Sequence, residues 1–338
     1  MLRKVTARSE RWPLTGSFRI SRGVKTAADV IAVEISQGGR RGRGEGVPYA
    51  RYGETLATVL SQIGEATRRI EQGLPRSDLA SVLPPGAARN AVDCALWDLE
   101  ARLSGRSVAE LLGQPPLTPI VSALTVSLDA PEAMGAAAAA MAGVELIKVK
   151  VDAVSPADCL RAVRAAAPRA RLIVDPNESW TIETLAAMQP VMREVGVDLV
   201  EQPLPAGDDG ALSGFESCAP ICADESVHVA RDLPGLRGRY DVVNIKLDKA
   251  GGLTGALELL AAAHAQGFGV MVGCMVSTSL SIAPAFHVAR HAEFVDLDGP
   301  VWIAADYPGG AVQRGAELLP PADALWGAPE VQAQLHEA

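Results

Sequence analysis

Short apolar runs and Ala-rich stretches alternate along the chain from about residue 121 to residue 296. The runs are rich in Val, Ile and Leu and are followed by polar residues, a pattern typical of buried strands that end at a polar edge. They predict eight strands, over residues 121–128, 146–151, 172–174, 198–200, 220–223, 242–247, 268–274 and 294–295. Because each strand is separated from the next by room for one helix, we predict an α/β fold whose parallel sheet closes into a (β/α) barrel.

The residues before the barrel have a mixed pattern that predicts an α+β domain. Apolar and polar residues alternate around 30–35, as in a half-buried strand, and the glycine-rich stretch 38–46 is typical of a turn. Apolar residues recur at helical spacing over 87–103, and Gly105 is typical of a helix C-terminus.

These patterns divide the chain into three parts. We predict an N-terminal α+β domain over residues 1–118 and a barrel over residues 119–309. The final segment, 310–338, does not resemble a further βα unit, and we expect it to return to the N-terminal domain.

Composition narrows the class of protein. The chain has 338 residues, of which 48% are hydrophobic, and its net charge is −9, as expected for a globular protein with a large core. Acidic balance and the lack of long basic runs argue against binding to nucleic acid or to an anionic membrane, so we expect a small-molecule partner. The start of the chain has no signal-peptide pattern, and the longest apolar run, 134–144, is too short to span a membrane, which indicates a cytoplasmic protein.

Cysteines and histidines do not form a motif of their own. The five cysteines are odd in number and lack Cys-x-x-Cys spacing, which favours free thiols in a reducing compartment. His287 and His291 lack the glutamate of a zinc-protease motif, so we predict that both lie on the surface of a helix.

Carboxylates stand at the ends of three successive predicted strands. Asp175, Glu201 and Asp224 each follow one apolar run. Strand ends of a parallel barrel meet at one mouth, where three carboxylates would repel one another unless a divalent cation lay among them. Since hard oxygen ligands select Mg²⁺ or Mn²⁺, we predict a metal site; the alternative is three separate, solvated loop carboxylates.

Lysines stand at two other strand ends. Lys148 and Lys150 are two residues apart, so both point to the same side, and two neighbouring ammonium groups lower each other's pKa. Lys246 lies four strands further along, across the mouth. A base on each side of one carbon can remove a proton from one face and return it to the other, which is racemisation or epimerisation. The alternative is that these are surface charges; Lys249, beyond its strand, we take to be structural.

Motifs along nearly the whole chain resemble those of the enolase superfamily, in its muconate-lactonizing subgroup and within that the dipeptide epimerases. They are VPYARYGET, GAARNAVDCALWDL, IVDPNESW, EQPLP, ICADES, NIKLDKAGGLT, GCMVST and DLDGP. The resemblance implies a barrel capped by the N-terminal domain, whose loops around 18–25 and 48–53 close over the site. It also implies the roles of the residues. Asp175, Glu201 and Asp224 would bind Mg²⁺, and Asn177 and Glu225 would orient the metal ligands. Lys150 would act on the R (D) configuration and Lys246 on the S (L) configuration. Lys148 would support Lys150.

The substrate residues follow from the same resemblance. Asp296 and Asp298 share one face of the last strand, and in dipeptide epimerases such a pair binds the free α-amino group; the alternative is a pair of helix caps before Gly299. Relatives that prefer Glu carry an arginine at the position of Lys25. A lysine can pair with a carboxylate but cannot make the bidentate contact of an arginine. Thr125 and Cys274 would line the pocket, unless they are ordinary barrel packing.

The implied activity is Mg²⁺-dependent epimerisation of a dipeptide at the α-carbon of its C-terminal residue, by two-base 1,1-proton transfer through an enediolate. The expected substrates are L-Ala-D-Glu and L-Ala-L-Glu, in the salvage of peptidoglycan peptides. Two alternatives stay open, namely muconate cycloisomerase or o-succinylbenzoate synthase chemistry on the same scaffold, and a catalytically silent binding protein. Oligomeric state is also open, because relatives form a range of assemblies that includes homo-oligomers.

Overall fold

The structure is a computed structural model that describes residues 2–141 and 143–329. Its strands are β1 Lys4–Ile20, β2 Gly23–Gln37, β3 Arg40–Gly46, β4 Ile120–Val121, β5 Leu124–Val126, β6 Leu146–Lys150, β7 Arg171–Asp175, β8 Leu199–Glu201, β9 Ile221–Ala223, β10 Val242–Ile245, β11 Gly269–Gly273, β12 Phe294–Asp296, β13 Val312–Arg314 and β14 Glu317–Leu319. Its α-helices are α1 Leu56–Glu71, α2 Ala87–Ser104, α3 Val108–Leu111, α4 Pro131–Ala140, α5 Pro156–Ala166, α6 Ile182–Val195, α7 Leu247–Ala250, α8 Leu253–Ala265 and α9 Ser279–Ala289.

Strands β5 to β12 form an eight-stranded parallel sheet in chain order, and each corresponds to one predicted strand. The Ala123 amide donates to the Val295 carbonyl at 2.8 Å, which joins the two ends of the sheet. One buried side chain from each strand region fills the interior, namely Ala123, Leu146, Ile173, Leu199, Cys222, Val242, Met271 and Phe294. The predicted barrel is therefore confirmed.

The N-terminal part is an antiparallel sheet, β1-β2-β3, packed against α1 and α2. The predicted helix over 87–103 is confirmed as α2, and Gly105 ends it in a left-handed conformation with φ 69°. The strand predicted around 30–35 is part of β2. Strand β1 was not predicted, because its exposed sequence carries polar residues on both faces.

The glycine-rich stretch 38–46 is a strand over most of its length, so the predicted turn is wrong beyond Gly39. The cause is the close approach of α2. A Cβ at Gly42 would lie 2.2 Å from the Ala95 carbonyl oxygen, and one at Gly44 would lie 2.2 Å from that of Ala91. Glycine is required here because the helix lies directly on the strand.

We expect Gly44→Ala to lower the thermal unfolding midpoint by about 5 °C or more, because the added methyl group forces β3 away from α2. Gly16→Ala, in β1, is the matched control, since a Cβ there meets nothing within 4 Å. Circular dichroism during heating compares the two variants. Equal midpoints for both would contradict the packing argument.

The last described residues contact the N-terminal domain. The Trp326 indole Nε1 donates to the Cys94 carbonyl at 3.1 Å, and the Gly327 amide donates to Asp98 at 2.8 Å. Residues 330–338 of the predicted final segment lie outside the described residues. No described helix combines the length and the apolar character that crossing a bilayer requires.

His287 is a buried residue, so its predicted surface position is wrong. Helix α9 is covered on all sides, and the His287 Nδ1 lies 3.1 Å from Gln114 Oε1. Burial lowers the pKa of His287 to about 4, which leaves the ring neutral. His291 is exposed, as predicted, but it lies in a turn after the end of α9 and not on a helix.

Candidate active site

A cavity of about 490 Å³ lies at the mouth of the barrel, where the capping domain meets the C-terminal ends of the strands. The predicted site residues on its wall are Lys25, Thr125, Lys148, Lys150, Asn177, Asp224, Glu225, Lys246, Cys274, Asp296 and Asp298. Asp175 and Glu201 are fully buried. They join the site through Lys148, which contacts both of them. The structure thus brings all thirteen predicted side chains into one region.

The three predicted metal ligands stand at the ends of β7, β8 and β9, as expected. Burial and the neighbouring Asp175 carboxylate raise the pKa of Glu201. Burial alone would also raise the pKa of Asp175, but the ammonium groups of Lys150 and Lys148 lower it. Strongly opposed shifts of adjacent carboxyl groups are characteristic of a functional site.

Lysines from opposite sides of the barrel reach these carboxylates. Lys150 Nζ lies 2.5 Å from Asp175 Oδ2, and Lys246 Nζ lies 2.7 Å from Asp224 Oδ2. Lys150 ends β6 and Lys246 directly follows β10, and these strands are four apart in the sheet of eight and therefore face each other across the mouth. The arrangement places one amine on each side of the cavity.

Lys148 lies among three carboxylates. Its Nζ is 2.7 Å from Glu201 Oε2, 2.8 Å from Asp296 Oδ2 and 3.2 Å from Asp175 Oδ2. Burial would lower the pKa of Lys148, but the carboxylates of Asp296 and Glu201 raise it well above its usual value. The pKa of Lys246 is likewise raised, since Asp224 outweighs burial. For Lys148 the expected lowering of the pKa by a neighbouring lysine is therefore wrong, because its ammonium group lies among three carboxylates.

The donor set suits a hard cation, although in the described residues no three His, Cys, Asp or Glu side chains are grouped closely enough to hold one. The ammonium group of Lys148 lies between Asp175 and Glu201, and that of Lys246 pairs with Asp224. Within the described residues, two buried oxygens of neighbouring site residues, Asn177 Oδ1 and Glu225 Oε2, have no hydrogen-bond partner. Three buried carboxylates on neighbouring strands fit Mg²⁺ by ligand type.

Asn177 contacts a predicted metal ligand, as expected, whereas Glu225 pairs with a residue of the capping domain. Asn177 donates two hydrogen bonds to the Asp175 carboxylate, one from its backbone N–H at 2.8 Å and one from its side-chain Nδ2 at 3.2 Å. Glu225 pairs with Arg22, at the tip of the β1–β2 hairpin, at 2.6 Å. Arg22 and Arg51, from the two capping loops, also both pair with Glu178. These ion pairs hold both loops on the barrel.

Asp296 and Asp298 lie at the end of β12 and are buried. Asp298 Oδ2 accepts hydrogen bonds from the Thr125 amide at 2.8 Å and from Trp302 Nε1 at 3.2 Å. Asp298 precedes the 3₁₀ helix Gly299–Trp302 but makes no side-chain capping bond to it, so the alternative of a capping aspartate is wrong for this residue. Burial and the Asp296 charge raise the pKa of Asp298 to about 6.

Lys25 extends over the Tyr49 ring, with its Nζ 5.3 Å from the ring centroid. Within residues 2–141 and 143–329 it has no ion-pair partner, whereas Arg22 and Arg51 are each paired with a carboxylate. Burial lowers the pKa of Lys25. Lys25 is therefore the capping-domain cation on the cavity wall that is available to a ligand carboxylate.

Thr125 and Cys274 lie on the cavity wall; Thr125 is buried, and Cys274 also packs against the main hydrophobic core. Burial raises the pKa of the Cys274 thiol well above its usual value, which keeps it neutral. A neutral thiol is a poor nucleophile, so Cys274 contributes shape rather than charge to the pocket.

Sequence reasoning missed three residues that contact the predicted site. Lys249 Nζ donates to Asp224 Oδ1 at 2.6 Å and to its carbonyl, which fits the structural role expected of it but places it at the site. Asn244 Nδ2 donates to Glu201 Oε1 at 2.9 Å, and Trp302 donates to Asp298. Asn244 lies two residues before Lys246 on β10, so strand alternation could have revealed it. Trp302 had no such signal.

Two family profiles match the chain. Residues 2–113 match the mandelate racemase / muconate lactonizing enzyme N-terminal domain, and residues 132–303 match the enolase C-terminal domain-like family. Among curated relatives, the L-Ala-D/L-Glu epimerase of Escherichia coli is 48% identical, over 90% of this chain and 96% of its own. The N-acetyl-D-glutamate racemase of a Pseudoalteromonas species is 45% identical, over 88% of this chain and 95% of its own.

Solved structures agree with the sequence relatives. An enolase family member from Agrobacterium tumefaciens with homology to dipeptide epimerases, solved with sodium and L-Ala-L-Glu, is 49% identical and has a TM-score of 0.94, covering 96% of this chain and all of its own. Three dipeptide epimerases of 27–30% identity and TM-scores of 0.86–0.88 were solved with Mg and a dipeptide. The chain belongs to the enolase superfamily, in the mandelate racemase and muconate lactonizing group, and is an isomerase.

Proposed function

We propose that the chain is a dipeptide epimerase that inverts the α-carbon of the C-terminal residue. The observation that carries the proposal is the placement of Lys150 and Lys246 on opposite sides of one cavity that also contains Asp296 and Asp298. A carbon held between two amines can lose its proton to one and regain a proton from the other. The buried acid pair supplies the negative charge that a free α-ammonium group requires.

The two lysines have complementary protonation states during turnover. The lysine that removes the proton must be neutral at that moment, and the lysine on the opposite face must carry the proton that it delivers. We assign Lys150 to the D configuration and Lys246 to the L configuration. Lys148, fixed by its three carboxylates, stays protonated and supports Lys150 by keeping a positive charge beside it.

Asp175, Glu201 and Asp224 are the residues that would hold Mg²⁺, with Mn²⁺ as a substitute. The bound cation would neutralise the substrate carboxylate and stabilise the negative charge that develops as the α-proton leaves. Asn177 contributes by fixing Asp175, and Lys249 by fixing Asp224.

The preferred substrate in this proposal is L-Ala-D-Glu or L-Ala-L-Glu, and the setting is cytoplasmic salvage of peptidoglycan peptides. Lys25 supports this choice as the cation available for the Glu side chain. The E. coli and Agrobacterium relatives agree with it. Muconate cycloisomerase and o-succinylbenzoate synthase chemistry is disfavoured, since the buried acid pair would repel a dianionic substrate.

A second candidate, racemisation of N-acetylglutamate, is favoured by the 45% identity to a racemase of that name. The substrates of the two candidates differ at the amine end, because an N-acetylated amino acid carries no ammonium group for Asp296 and Asp298. Both require the same lysines and the same carboxylates. The amine end of the substrate therefore decides between them.

The test is a mass-spectrometric screen of L-Ala-L-Xaa dipeptides and N-acetyl-L-glutamate with Mg²⁺ in D₂O. We expect L-Ala-L-Glu to gain one mass unit, and we expect this gain to disappear when EDTA removes the cation. N-acetyl-L-glutamate should gain little or no mass. A gain confined to Glu and Asp would support Lys25 as the carboxylate anchor, whereas a gain on apolar or cationic dipeptides would overturn the substrate. Exchange on N-acetyl-L-glutamate alone would favour the second candidate, and no exchange anywhere would overturn the epimerase proposal.

A further inference from the structure

Trp302 contacts the predicted amine site directly. It ends the 3₁₀ helix Gly299–Trp302, which follows β12, and its indole Nε1 lies 3.2 Å from Asp298 Oδ2. The Thr125 amide donates to the same oxygen at 2.8 Å. Two donors from different elements therefore fix the orientation of one buried carboxylate, which carries the charge expected to bind the substrate ammonium.

The same tryptophan contacts the capping domain. Its ring meets Phe18, near the end of β1, edge to face at a centroid distance of 4.8 Å. Its carbonyl accepts a hydrogen bond from the Thr15 hydroxyl at 3.3 Å. One residue further on, Ile303 forms a β-bridge with Leu14, and the Ala304 amide donates to the Pro13 carbonyl at 2.8 Å.

These contacts form a short connection between the capping hairpin and the acid pair. Phe18 lies on the cavity wall and stands two residues before the end of β1, beyond which Arg22 holds the hairpin tip on the barrel. The Trp302 ring touches this strand, and the Trp302 N–H touches Asp298. A shift of β1 would therefore move the group that orients Asp298.

We propose that Trp302 is a positioning residue that ties the seating of the capping strand to recognition of the substrate ammonium by Asp298. This inference rests on the proposed dipeptide epimerase function. Trp302 acts through Asp298 and not on the reacting carbon, because its N–H holds the carboxylate that binds the substrate ammonium.

The test compares Trp302→Phe with the wild-type protein loaded with Mg²⁺. Phenylalanine keeps a ring against Phe18 and removes the N–H donor. We expect the Kd and KM for L-Ala-L-Glu to rise about tenfold, the effect of losing one hydrogen bond to a charged group, while kcat stays within about twofold. The concentration of Mg²⁺ that gives half-maximal exchange should not change, because the metal ligands lie on other strands.

Trp326→Phe is the matched control, since it removes a buried indole donor that bonds to the Cys94 carbonyl and not to the site. It should leave Kd and KM unchanged. Phe18→Leu is a second test, which keeps the donor but loses the ring contact, and should raise Kd about threefold. It decides the question if Trp302→Phe does not fold.

Three results would overturn the proposal: an unchanged Kd in Trp302→Phe, a parallel loss of kcat and Mg²⁺ response that indicates general damage, or an equal effect in Trp326→Phe. Calorimetric binding separates this failure from that of the proposed function. A wild-type protein that binds L-Ala-L-Glu without exchanging its α-proton refutes the epimerase function alone. A wild-type protein that does not bind the dipeptide refutes both.

Discussion

Replacing Lys246 with methionine is expected to lower the rate of epimerisation of L-Ala-L-Glu by about a thousandfold or more, because it removes the base proposed for the L configuration. Lys150→Met should have an effect of the same size from the opposite side. Methionine matches the length of the apolar stem, so the loss concerns the ammonium group. The interconversion of the two diastereomers, followed by NMR, measures the effect.

The two variants should differ in the isotope exchange that they retain. With Lys150 replaced, Lys246 can still remove and return the proton of the L form, so L-Ala-L-Glu should take up deuterium from solvent without inverting. With Lys246 replaced, L-Ala-D-Glu should do so instead. This reciprocal pattern distinguishes two dedicated bases from a general loss of the site, which would abolish both exchanges.

Lys4→Met, at an exposed position on β1, is the control and should epimerise at the wild-type rate. Wild-type turnover in either site variant would remove that lysine from the chemistry. Loss of exchange for both diastereomers in both variants would refute the assignment of one face to each base. Replacement could also free the paired carboxylate, so binding of Mg²⁺ should be checked in parallel.

The barrel and the positions of its polar residues could be predicted from the sequence because of the geometry of parallel sheets. Strands covered on both sides must be apolar along their whole length, as in β6 and β10 apart from their site residues, and this makes them conspicuous. Their C-terminal ends meet at one mouth of the barrel, independently of the length and sequence of the connecting loops. The end of each apolar run therefore locates a side chain in space to within one cavity.

The contacts between these side chains could not be predicted in the same way. Lys148 pairs with Asp296, 148 residues further along, only because the closed barrel brings β12 beside β5 and β6. That contact raises the pKa of Lys148, whereas the local sequence, with Lys150 nearby, predicts the reverse. Charges that are distant in the sequence thus determine the direction in which the pKa of Lys148 is shifted.

The capping domain was harder to predict, since its strands are exposed on one face or lie against a helix. Strand β3 contains glycine at every second position, which favours a turn in isolation and allows a strand only because α2 lies on it. Trp302 belongs to a short 3₁₀ helix, without any periodicity to mark its inward face. Such residues are found from tertiary contacts alone.

Asp298→Asn is expected to lower kcat/KM for L-Ala-L-Glu by about a hundredfold or more, because it removes one charge of the buried pair proposed to bind the substrate ammonium. The amide oxygen can still accept the bonds from the Thr125 amide and from Trp302, so the loss is electrostatic. It is a cleaner change than Asp296→Asn, since Asp296 also pairs with Lys148 at 2.8 Å.

The specificity of the loss is as informative as its size. N-acetyl-L-glutamate carries no ammonium, so any exchange that the wild-type protein catalyses on it should not fall in Asp298→Asn and should rise relative to the dipeptide. Asp158→Asn, on the exposed face of α5, makes the same chemical change away from the site and should alter neither substrate. Mass-spectrometric exchange rates for both substrates in all three proteins give the comparison. If the exchange rate of the dipeptide falls by less than about tenfold, the amine is bound elsewhere. Removing a buried carboxylate that pairs with an ammonium group costs more binding free energy than a tenfold change represents.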